Sequence, residues 1–65
     1  MKRLKDYKLI FGIGNEEFAQ AVINKCEVGY VLVGGVEATG HAINGNAELV
    51  QTIALYEEVI HKVTH

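Results

Sequence analysis

Residues 30–39, YVLVGGVEAT, make a β-type segment that is apolar on both of its faces. As a strand it puts Tyr30, Leu32 and Val36 on one side and Val31 and Val33 on the other. A sheet with one solvated face alternates apolar and polar residues, so two apolar faces call for two covers. The chain has 65 residues, room for a single domain over 1–65 and no second one. A domain of this length hides only about 60% of the surface of its unfolded chain, and small folds add a disulfide, a metal or a second subunit. Cys26 is the only cysteine, which excludes an internal disulfide and fits a reduced, cytoplasmic setting. Self-association becomes the leading route to stability, and a homo-oligomer is expected.

The rest of the chain supplies one helix and two further strands. Residues 7–11, YKLIF, read as a short strand that Gly12 and Gly14 interrupt. Asn15 suits an N-cap, with Glu16 and Glu17 in the first turn complementing the helix dipole. From there Phe18, Ala19, Val22, Ile23 and Cys26 recur on one helical side, and Gly29 suits the C-terminal stop. Cys26 is therefore expected as a small, inert core residue. Residues 40–46, GHAINGN, are a turn region around Asn44-Gly45. The segment 47–63 fits two periods. As a strand over 49–58 it separates Leu49, Ile53 and Leu55 from Val50, Ala54 and Tyr56. As a helix it aligns Leu49, Ile53, Tyr56, Ile60 and Val63.

The charge is asymmetric. Lys2, Arg3, Lys5 and Lys8 against Asp6 give residues 1–8 a sum of +3, and the remainder sums to −5. Nucleic acid is a poor partner for a chain so rich in acids, because useful affinity needs several phosphates neutralised. The basic tip, residues 1–6, reads as a solvated, frayed segment or as a contact for a small anion or an acidic partner; residues 59–65 read as an extended or frayed tail. The longest run free of charged side chains, ATGHAINGNA, is too short and polar to span a bilayer. The opening MKRLKDYKLIF lacks a cleavage site and is not read as a signal peptide.

No constellation points to catalysis. The glycines of IFGIGNEEF stand at a strand-to-helix turn, but position 17 is Glu17 where a dinucleotide fingerprint needs glycine. Glu16 and Glu17 also occupy the helix end where a phosphate would sit. Serine is absent, and His41, His61 and His65 have no familiar zinc spacing, so neither metal nor cofactor is expected. The more plausible binding surface is GGVEATGHAINGN: Gly34 and Gly35 allow close approach of a backbone or flat ligand, and Glu37, Thr39, His41 and Asn44 add polar groups. A solvated hairpin with a bulge at the glycines is the structural alternative. In an oligomer Lys2, Arg3 and Lys5 could lie near the hairpin of a neighbour.

YKLIFG, then NEEFAQAVINKCEVGYVLVGGV, then VQTIALYE resemble the small bacterial and phage domain DUF1737, with GYVLVGGV as the most specific piece. The likeness runs from about Tyr7 to Tyr56; Val50 departs from it, where that family has an aromatic residue before its strand glutamine (here Gln51). The resemblance implies an α+β fold of order β-α-β-β with one helix on a three-stranded sheet, and it makes 49–58 a strand paired with 30–39. One face would take the helix and the other, with Val31, Val33, Val50, Ala54 and Tyr56, a second subunit. It brings no activity. The expected function is a non-catalytic oligomeric binding protein that contacts a protein partner. The alternative is a phage counter-defence protein that sequesters a nucleotide signal or inhibits a host defence protein.

Overall fold

Alternating β-branched and aromatic residues on either side of one amphipathic stretch give an α+β fold. The computed structural model describes residues 1–60, in the order β1 (Lys2–Ile13), α1 (Asn15–Glu27), β2 (Val31–Ile43) and β3 (Asn46–Glu58). The three strands form one antiparallel sheet of order β1-β3-β2, so the last strand is the central one. Residues 47–58 are strand, which settles the two-period segment as far as Glu58; residues 61–65, with His61, Lys62 and His65, lie outside the described residues. Residues 2–6 are not a frayed tip. They extend β1, with Lys2 opposite Glu58 and Arg3 opposite Glu57.

Helix α1 starts after Gly14, whose carbonyl accepts from the Phe18 N–H at 3.3 Å. Asn15 is the first helical residue rather than the cap, and no side chain caps this end. The helix stops where Val28 and Tyr30 donate back to the Lys25 carbonyl and Gly29 to that of Cys26. The helix lies over β1 and less extensively over β3. Gly12 permits this approach, since a Cβ there would stand 2.8 Å from the Phe18 Cα. Phe18 is buried, whereas Cys26 is exposed, contrary to the expected core position. The helix lies toward the β1 side of the sheet, and Cys26 stands outside the groove that separates the helix from β2.

Strands β2 and β3 join through Asn44-Gly45 at φ 52° and 79°, the twist-matched geometry of a two-residue hairpin turn. Their pairing is interrupted twice. Between Val33↔Thr52 and Glu37↔Val50, three residues of β2 oppose Gln51 alone; between Ala38↔Leu49 and Ala42↔Ala47, three oppose Glu48 alone. Each bulge contains a glycine at positive φ, Gly34 at 72° and Gly40 at 89°, a conformation that side chains with a Cβ rarely adopt.

Gln51 is 2% exposed. Its Nε2 donates to the carbonyls of Val33 at 3.1 Å, Gly34 at 3.2 Å and Thr52 at 2.9 Å. The first two belong to the bulge, where the ladder no longer supplies donors. In the second bulge Thr39 Oγ1 donates to Glu48 Oε1 at 2.8 Å and accepts from the His41 N–H at 3.2 Å. Val33 and Gly34 are exposed and Thr52 is half-buried, so water can replace part of what the amide gives, and a bond of this kind contributes about 0.5–1.5 kcal/mol net. Gln51→Met, similar in length but without a donor, is therefore expected to destabilise the chain by about 1–2 kcal/mol in urea unfolding; unchanged stability would mean that the amide is not what holds the bulge.

Candidate functional site: the open sheet face

The helix leaves one whole face of the sheet bare. Cross-strand partners share a face, and the register puts Leu4, Tyr7, Leu9 and Phe11 of β1 beside Tyr56, Ala54, Thr52 and Val50 of β3. Val31 and Val33 of β2 continue the rows of Ala54 and Thr52, and Glu37 that of Val50. Tyr7, Leu9 and Phe11 are 57%, 53% and 53% exposed, and Leu4, Val31, Val33 and Tyr56 are also exposed. Ala54, flanked by Tyr7 and Val31, has no exposed surface, because a methyl on the central strand is enclosed by its larger neighbours.

Of the five interface residues expected from sequence, Val31, Val33 and Tyr56 line this face exposed and Val50 half-buried, while Ala54 forms its floor. The β1 residues Leu4, Tyr7, Leu9 and Phe11 were missed. Their alternation from Tyr7 to Phe11 carried the signal.

The same side of the sheet as the helix holds a second uncovered region. Because α1 does not reach β2, an apolar groove of about 400 Å³ runs between them, lined by Phe18, Val22, Ile23, Leu32, Val36 and Leu49, with Asn15 and Gln51 as its polar groups.

The residues expected to bind a ligand are not assembled in one chain. Gly34, Gly35, Glu37, Thr39, His41 and Asn44 lie toward the hairpin, while Lys2, Arg3 and Lys5 lie at the opposite end of the sheet. The glycine pair forms the bulge, and Thr39 is engaged with Glu48. Arg3 is ion-paired with Glu57, its Nε 2.6 Å from Oε1. Among the described residues Lys2 and Lys5 make no ion pair.

The molecule is polarised along its strands. The hairpin end and the helix start carry Glu16, Glu17, Glu37 and Glu48 and neither Lys nor Arg; the other end carries Lys2, Arg3, Lys5, Lys8 and Lys25 with Asp6, Glu27, Glu57 and Glu58.

A polar clip closes this second end. The Tyr30 hydroxyl donates to Asp6 Oδ2, Lys8 Nζ lies 3.5 Å from the same carboxylate, and Lys8 and Lys25 each hold their ammonium 5.8 Å from the Tyr30 ring centre. The Tyr30 hydrogen bond first, then the Tyr7 N–H and Lys8, hold the Asp6 carboxyl below its ordinary range against partial desolvation. The same hydrogen bond raises the Tyr30 phenol, and the phenol and Asp6 raise Lys8. The clip joins β1 to the residue before β2. Among the described residues no group of His, Cys, Asp or Glu could hold a metal ion, and no helix is long and apolar enough to cross a membrane.

Comparison with known proteins finds no matching family model and no similar curated protein or solved structure.

A carboxyl whose pKa is lower folded than unfolded contributes stability above its unfolded value, about 3.9, and loses it as pH falls through the folded value. Tyr30→Phe is expected to move the Asp6 midpoint upward in a carbon-detected NMR titration and to reduce this acid-side loss. An unmoved midpoint would show that the hydroxyl does not set it.

Proposed function

We propose that this chain is a non-catalytic binding protein that works as a homo-oligomer, with the open sheet face as its subunit interface. The observation that carries this is the extent of the bare apolar face. At their exposures the seven side chains from Leu4 to Tyr56 present on the order of 600 Å², near the roughly 800 Å² per partner of a stable interface and at the upper end for a patch on a monomer. Among the described residues, Phe18, Ile53 and Ala54 are the only fully buried apolar side chains, a small core for a chain of this length. A second copy is the occupant that every molecule of the protein has at hand, and it brings an equally apolar face.

The likeness to DUF1737 rests on the motif residues and suggests a bacterial or phage setting. In such a setting the protein partner of the oligomer includes, as a second reading, a host defence protein. Sequestration of a nucleotide signal draws on Lys2 and Lys5, which make no ion pair among the described residues. The hairpin of the same chain lends this no help, since its end of the sheet is acidic.

Leu9, midway along the face beside Thr52, gives the test. On a solvated monomer an exposed substitution changes stability by no more than about 0.5 kcal/mol and leaves the mass unchanged. In the oligomer Leu9→Glu buries a carboxylate against apolar groups. Sedimentation velocity is expected to show the variant as single subunits at concentrations where the parent chain is associated. Identical sedimentation of the two would overturn the proposed interface.

A further inference from the structure

Resting on that proposed interface, we infer that the second copy lies across the open face with its strands antiparallel to those of the first, related by a two-fold axis that runs across the strands near Thr52. With the strands of the two sheets kept aligned, as stacked sheets commonly pack, two closed arrangements can stack this face on itself. An axis along the strands keeps them parallel and sets equal rows opposite each other. An axis across the strands reverses them and sets the hairpin end of one subunit over the terminal end of its partner. The apolar stripe runs from the Leu4–Tyr56 row to the Ile13–Glu48 row, and Thr52 is its midpoint on the central strand, so the centre of the interface falls there in both.

Charge chooses between them. The parallel arrangement stacks the acidic hairpin end on itself: Glu48, on the central strand and on the open face, would confront its own copy across sheets that pack about 10 Å apart, with Glu37 and its copy in the adjoining row. No Lys or Arg of that end compensates them. The antiparallel arrangement instead sets Glu48 over the row of Leu4 and Tyr56, toward Lys2 and Lys5 of the partner subunit, and moves Glu37 away from its copy to the row of Ala54. Among the described residues these two cations of β1 make no ion pair within their own chain. Like charges placed opposite one another at an interface select against that pairing, and complementary ends fix the register. The arrangement is self-complementary, as a two-fold interface requires: each hairpin end meets a terminal end twice over. Because the axis runs across the strands, each strand stacks on its own copy, so two symmetric junctions form at the ends of the interface, each made from the end of β1 and Glu48 of one subunit and the basic start of β1 of the other. Neither chain contains such a junction alone.

Cross-linking in a Cys26→Ser background separates the possibilities, with a bismaleimide whose reach matches the spacing of about 10 Å between stacked sheets. Thr52→Cys is expected to cross-link to its own copy, which tests the face itself. Glu48→Cys alone is expected to remain single subunits on a denaturing gel, because eight residues of strand, about 26 Å, separate the two copies of that position in the antiparallel stack. Glu48→Cys mixed and refolded with Tyr56→Cys is expected to give the cross-linked pair, with Leu4→Cys in the same row as a substitute should Tyr56→Cys weaken association. Self-cross-linking of Glu48→Cys would overturn the antiparallel arrangement while leaving the interface in place. Failure of Thr52→Cys to cross-link would overturn the interface and the arrangement built on it.

Discussion

One central strand is apolar on both of its sides, and the single helix covers only one. β3 pairs with β1 and β2 along most of its length, and its alternate side chains, Leu49, Gln51, Ile53 and Leu55 on one face and Val50, Thr52, Ala54 and Tyr56 on the other, leave no solvated side. Ile53 and Ala54 are adjacent residues pointing in opposite directions, and both have no exposed surface. Everything else follows from this mismatch. Phe18, brought close by Gly12, seals the helix side over β1 and β3. Nothing in one chain seals the other side beyond the floor at Ala54. Interior apolar groups stabilise by about 25 cal/mol per Å² removed from water, so the bare rows from Leu4 to Phe11 are the largest stabilisation that a single chain leaves unrealised.

The edges of the sheet decide how it can associate. β2 is an edge strand broken by two bulges, and a bulged edge does not template a further strand. Its irregularity is held from the centre by Gln51, which spends its amide hydrogens on carbonyls that the broken ladder leaves open. β1 is more regular but carries Lys2, Lys5 and Lys8, the residues that discourage edge pairing. In the proposed oligomer, face-to-face stacking is thus favoured over extension of the sheet, and the polarity of charge along the strands would act on that stacking. The bulges keep the polar hairpin clear of the apolar stripe, so that acids gather at one end while the stripe stays continuous.

Much of this was legible in the sequence. A period of two in YVLVGGVEAT separates its side chains onto the two faces, because alternation follows from the pleat; LVQTIALYEE fits a helix slightly better on period alone and reads as a strand only through the family resemblance. The helix was legible from its period and its flanking glycines. Four features were not. Lys2 to Asp6 look like a solvated tip, since charged residues on an edge strand carry no apolar signal; their strand character depends on Glu57 and Glu58 more than fifty positions away. Gln51 looks like an ordinary polar strand residue until register places it beside a bulge. Cys26 follows the helical period of Val22 and Ile23, but periodicity does not say which part of the sheet a helix will overlie, and this one stops short of β2. The clip of Asp6, Tyr30 and Lys8 was hidden for the same reason, being assembled from two strands' ends and a helix terminus. The nine residues proposed as a ligand site include real features of the chain, a bulge and a basic end, but the antiparallel sheet places them at opposite ends.

The most direct test of the covered second face is native mass spectrometry of the unmodified chain purified without added ligand. A single subunit has a mass of 7.1 kDa. Covering of the open face by a second copy predicts ions at multiples of that mass, with the dimer as the smallest folded species. Folded ions at 7.1 kDa alone, unchanged as the protein concentration is raised, would contradict it.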